Sequence, residues 1–263
     1  MKISNLFKSV LTVTAMTLMV SCSDDDTAAA SGSNANGGDL KINFDAVVGS
    51  QDFALDTPFS VNGHSYTFER LRYWVSNVEL VAEDGTVYSV PESYYLLEET
   101  GEVSVQDGTF TYPAKKREVV ELKNIPAGHY SKIRFAVGVD PTYNDNMSLQ
   151  SGELSQMNGM TNVSWMWHTS YIFSSLIGKD DTQAPIQVET GLNSNYRTVE
   201  VALPSGVHVG TDAAKVNLNV EIAKIVEGLD LHTTPTVSAS TPAEMTQVAD
   251  NYKTKVFTLK SVE

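Results

Sequence analysis

The chain has 263 residues, 41% of them hydrophobic and 19% charged, a balance that supports a globular core and does not describe a disordered chain. Its formal charge is −14, so its surface repels phosphate backbones and nucleic acid is excluded as a partner. A single cysteine rules out an intrachain disulfide and a cysteine-based zinc site, so the fold is expected to hold by packing alone.

In chain order, residues 1–21 read as a lipoprotein signal peptide. Lys2 and Lys8 provide the positive start, and Val10–Val20 forms an apolar stretch shorter than the about 20 residues a bilayer span requires. The run Leu18-Met19-Val20-Ser21-Cys22 is similar to a lipobox, which makes Cys22 the expected site of lipidation and the membrane the partner it reaches. The acidic run Asp24-Asp25-Asp26 resembles the export signal of surface lipoproteins, so the expected location is the outer membrane with the domain exposed at the cell surface. Residues 22–39 then make the acylated cysteine and a flexible tether, small and polar with no periodicity.

Residues 40–263 are expected to form one mostly β domain, a single antiparallel β-sandwich with a long aromatic-rich excursion and a C-terminal helix. Leu40–Asp45 alternates apolar and polar residues as a half-buried strand does, and His64–Val81 is a longer β-rich run. Glu83-Asp84-Gly85-Thr86 is a turn feeding a strand at Val87–Val90. Further strands are expected at Glu118–Leu122, Lys132–Val139, Thr198–Leu203 and Lys215–Ile225, with a tight connection at Asn124–Gly128. Gly152–Gly178 has mixed periodicity and reads as the excursion. Pro242–Val256 reads as a helix, with Thr241 as N-cap, Pro242 in the first position, and Met245, Val248, Ala249 and Tyr252 on one face.

For chemistry, the segment Trp165-Met166-Trp167-His168 is the most unusual. On a strand its two tryptophans would share a face, either packed in the core or open as a stacking platform. The five histidines, at 64, 129, 168, 208 and 232, include no His-x-His or His-x3-His pair, so any metal site must be assembled from distant segments. The loop Asp140–Asn146 is rich in oxygen donors. Asp140, Asn144 and Asp145 suit calcium, although the same residue types also dominate ordinary turns. No nucleophile motif or acid–base spacing is present, and an enzyme is not expected.

Several of these segments together resemble the MbnP-like family, named for a periplasmic partner in methanobactin copper handling. They are Phe44-Asp45 with Val48-Gly49, Leu71-Arg72-Tyr73-Trp74-Val75-Ser76-Asn77-Val78-Glu79-Leu80, Ile125-Pro126-Ala127-Gly128-His129-Tyr130, and Trp165-Met166-Trp167 with Tyr171-Ile172-Phe173. The resemblance implies a β-sandwich and a copper role, the metal being held in relatives by histidines and an oxidised tryptophan. It carries Trp165, Trp167 and His168 forward as metal residues, with His64 and His208 added by residue type. Where the family often has His-x-Gly, this chain has Glu189-Thr190-Gly191, and His168 stands where the family pattern places a polar residue that is not a ligand. The expectation is therefore a metal binder without turnover, copper leading. The alternative is a β-sandwich recognition module that takes a glycan, peptide or partner protein on an aromatic surface; no particular protein partner is specified.

Overall fold

The computed structural model describes residues 37–105, 108–162 and 170–263. In β1 (Gly38–Val48), Leu40, Ile42, Phe44, Ala46 and Val48 are buried while their neighbours are half-exposed, the period of two that the sequence shows. The ladder begins two residues before the expected domain start, because Gly38 already pairs with Ile125 and Lys123 holds Asp39 at 2.7 Å. β2 (Gln51–Asp52) folds back on the end of β1. β3 (Pro58–Val61) and β4 (His64–Ala82) form a hairpin across Asn62 and Gly63, whose φ values of 52° and 85° fit a two-residue primed turn.

β4 is the spine of the larger sheet. One of its edges carries β3, β6 (Tyr94–Thr100) and β5 (Val87–Ser89). β7 (Val103–Val105) and β8 (Phe110–Tyr112) make a separate ribbon, and β9 (Lys115–Arg117) pairs with β6. After β10 (Val119–Ile125), β11 (Gly128–Val137) takes the far half of the other edge of β4. A short helix α1 (Pro141–Asn144) and β12 (Thr161–Asn162) precede β13 (Ser170–Asp180), which takes the near half of that edge. β14 (Pro185–Gly191) pairs with β13, and β15 (Arg197–Val209) pairs with β11. β16 (Ala214–Glu221) is followed by α2 (Ile222–Ile225), β17 (Thr236–Val237), α3 (Pro242–Asn251) and β18 (Phe257–Val262).

The smaller sheet has the order β10-β1-β16-β18 and the larger β15-β11-β4-β13-β14-β17, and neither closes into a barrel. Their facing sides meet through aromatic rings. Phe44 of the smaller sheet lies edge-on to Phe135 of the larger at 5.4 Å, and Phe257 meets Phe135 at 5.0 Å and Tyr73 at 6.1 Å. The mostly β sandwich is as expected, with four corrections. The β1–β16 and β14–β17 ladders are parallel. The second part of the expected excursion is β13, a core strand buried on both faces over Ser170–Leu176, so the alternation that marks a strand is missing there. The expected strand to Ile225 stops at Glu221, and Ile222–Ile225 turn helical. Thr241 holds the N-cap position of α3 as expected, but its side chain does not cap: the hydroxyl accepts from the Ser238 N–H at 2.9 Å, and Pro242 takes the first position.

At Gly138 both the conformation and a close contact exclude other residues. Gly138, at the end of β11, has φ of 119°, and a Cβ there would lie 2.6 Å from the ring of Phe173. Nearby, Asn77 interrupts β4 at φ 50° and shifts its register with β11. Its amide donates to Tyr196 Oη at 2.7 Å and to Asp140 Oδ2 at 3.2 Å.

Candidate metal centre

Two turns bring ligand atoms together at the start of β4. Asp180 closes β13 directly opposite Tyr66 of β4. Its Oδ1 accepts from Thr182 N at 2.8 Å, Thr182 Oγ1 at 2.7 Å and Ala184 N at 2.9 Å. These bonds fix the carboxylate and leave Oδ2 facing His232 Nδ1 at 3.4 Å. The donated bonds, Thr182 first, hold the Asp180 carboxyl below its ordinary pKa, so it is an anion at neutral pH. On the other side, Asp230 accepts from the N–H of His232 at 3.0 Å and from Thr233 Oγ1 at 2.7 Å, an Asx turn that presents the His232 ring.

The ligand atoms of Asp180, Asp181 and His232 all lie within 4.8 Å of one another, and Asp181 Oδ1 is 4.0 Å from His232 Nε2. His64, the first residue of β4, adds a second imidazole with its ring centroid 4.2 Å from that of His232. Two imidazoles sharing a metal through nitrogens at about 2 Å place each centroid roughly 3.2 Å from the ion, hence about 4.5 Å apart at a right angle. The observed pair is close to that separation. Tyr66 lies against both rings, its hydroxyl pKa raised by burial and then by Asp230, Asp180 and Asp181.

Asp180 touching Nδ1 leaves Nε2 of His232 as the outward nitrogen. A carboxylate behind a ligating histidine fixes the ring and increases its basicity. Two imidazoles with anionic oxygen donors suit borderline divalent ions such as Cu(II) and Zn(II). A second acidic group, Asp45, Asp52 and Glu118, already has cations on it: Lys260 pairs with Asp45, and Lys116 lies 3.6 Å from Glu118.

The other expected site residues fall elsewhere. His64 and His208 do not meet, because His208 pairs with His129 beside Tyr130, which is opposite Ala82 at the far end of β4. Trp165, Trp167, His168 and Cys22 lie outside the described residues. The oxygen-rich loop is held by protein donors. Asp140 Oδ1 caps α1 by accepting from Thr142 N at 3.0 Å, and its Oδ2 accepts from Asn77 and Tyr94. Asn144 Oδ1 accepts from Tyr171 N at 2.8 Å, and both Asp145 oxygens accept from Asn193. That geometry is a capped turn with its oxygens engaged, which is why calcium is not carried forward. Glu189 is buried, with Ser175 Oγ donating to it at 3.0 Å; burial raises its pKa, partly offset by its hydrogen bonds and Arg70.

His232, Asp180 and Asp181 are the residues that spacing alone misses. The only local traces are the tandem Asp180-Asp181 and the Asp230-Leu231-His232-Thr233 turn.

The architecture is an open two-sheet β-sandwich with an imidazole–carboxylate cluster at one end of its longest strand. The family model of MbnP matches residues 37–242, and the chain belongs to that family. Among solved structures, the chain is similar to MbnP from Methylosinus trichosporium, with 16% identity and a TM-score of 0.45, over 72% of this chain and 76% of that one. Comparison with curated proteins gives no match.

Proposed function

We propose that this protein is a lipoprotein held by lipid on Cys22 at the outer membrane, facing outward, and that its domain binds a divalent transition-metal ion without turnover. Copper is the leading ion. The observation that carries the reading is the convergence of His64, His232, Asp180 and Asp181, contributed by three separate segments of the fold. Membership of the MbnP family is consistent with a metal role. The leader, Cys22 and the acidic triplet support the anchor and its direction.

In this reading His232 Nε2, a His64 nitrogen and the Asp181 carboxylate supply the donors, and Asp180 orients His232 from behind. The acidic character of the whole chain raises the local concentration of cations. The test is metal analysis and calorimetric titration of the purified full-length chain with Cu2+, beside the His64→Ala and His232→Ala variants. Both residues are exposed, so the variants keep the fold. Each should bind roughly 10- to 100-fold more weakly at one equivalent. Unchanged stoichiometry and affinity in both variants would overturn the reading.

A further inference from the structure

The remaining two described histidines also form a pair, at the opposite end of β4. His129 on β11 and His208 on β15 stand directly opposite each other in an antiparallel ladder, with ring centroids 4.5 Å apart at 37°. This pairing depends on a break in β15. The register jumps between Tyr130–Val207 and Lys132–Ala202, and the looped-out stretch contains Gly206 at φ 64°. The jump sets Tyr130, Val207 and Val209 facing the core. By strand alternation His129 and His208 then share the outer face, and both are exposed.

We propose that His129 and His208 form a second metal site, a two-imidazole chelate for a borderline divalent ion such as Cu(II), independent of the centre at His64 and His232. Their centroid separation equals the about 4.5 Å expected of two imidazoles ligating one ion at a right angle. Both rings stand on paired strands, so little ordering is needed to bring the second nitrogen to a bound ion. The His208 ring lies against Gly210, where a Cβ would stand 3.1 Å from His208 Nε2. His129 also lines a cleft of about 290 Å³ shared with Asp84, Thr86 and Tyr88, which leaves room for water beside its ring. Hydrogen bonds from Thr86 hold the Asp84 carboxyl below its ordinary pKa, so it is an anion at neutral pH. Two protein nitrogens leave most of the coordination sphere open, which suits an ion in exchange with solvent or another carrier.

The test uses the full-length chain carrying His64→Ala and His232→Ala, so that failure of the first centre does not affect the result. Substoichiometric Cu2+ is added at neutral pH, and paramagnetic broadening of the assigned His129 and His208 imidazole signals is followed by NMR. Both signals should broaden together, and adding His208→Ala should raise the Cu2+ needed to broaden His129 by roughly tenfold or more. If His129 broadens at the same Cu2+ concentration with and without His208, it binds as a lone surface imidazole and the proposal is wrong. Broadening of neither signal overturns it equally.

Discussion

Arg72 and Glu98 face each other across the β4–β6 ladder with no solvent exposure of either side chain, and the two ways of breaking this pair should differ in cost. Arg72 Nε donates to Glu98 Oε2 at 2.9 Å and Nη2 lies 2.8 Å from the same oxygen. The other oxygen accepts from Tyr112 Oη at 2.6 Å and lies 3.1 Å from Lys115 Nζ, so the carboxylate has three partners. The guanidinium has one carboxylate, with the Tyr112 ring 4.7 Å away. Glu98→Gln therefore leaves a buried cation without a counter-ion and should cost about 3–5 kcal/mol. Arg72→Met leaves a carboxylate that Tyr112 and Lys115 still hold, and should cost about 2 kcal/mol. The double variant Arg72→Met/Glu98→Leu removes both buried charges and should fall within roughly 1–2 kcal/mol of the parent. Urea unfolding followed by tryptophan fluorescence measures all three, with equal slopes required for the comparison. A double variant no more stable than Glu98→Gln would refute this account, as would a Glu98→Gln cost below about 1 kcal/mol.

Gly138→Ala must both hold a positive φ and displace the Phe173 ring, and should destabilise by about 2–4 kcal/mol in the same urea assay. Phe135→Ala removes the ring that Phe44 and Phe257 both contact between the sheets, and should cost about 3–5 kcal/mol in thermal unfolding. Burial raises the Asp140 carboxyl pKa, but hydrogen bonds from Tyr94, Asn77 and Thr142 outweigh it and leave the pKa below its ordinary value. The stability Asp140 contributes is therefore present above about pH 3.9 and fades as pH falls through its lower folded pKa. Asp140→Asn should reduce stability at neutral pH and flatten the acid limb of a pH–stability profile; an acid limb as steep as the parent's would contradict this.

The parts of the fold that could be read from sequence are those with one buried face. Leu40, Ile42 and Phe44 alternate because β1 has a wet side, and the Asp84-Gly85 turn marks the β4–β5 hairpin. β13 was not legible as a strand because Tyr171, Phe173, Ser174, Ser175 and Leu176 are all buried, and a strand covered on both faces has no period to read. The histidines show a similar limit. His64 could be chosen by residue type, but its neighbour His232 depends on an Asx turn after α2, and His208 meets His129 only because β15 skips residues near Gly206. These are facts of register and turn geometry, which one sequence does not encode in its spacing.

The placement of β1 has a mechanical consequence. It lies inside the smaller sheet, antiparallel to β10 and parallel to β16, with its first residue already paired. A pull along β1 from the residues before Gly38 would load both ladders at once along their length. Their hydrogen bonds would have to yield together, whereas a strand peeled from a sheet edge gives up its bonds one by one. A domain held at this end would then resist a pull through the cooperative shear strength of two ladders, and its lifetime under force would be set by an unfolding rate.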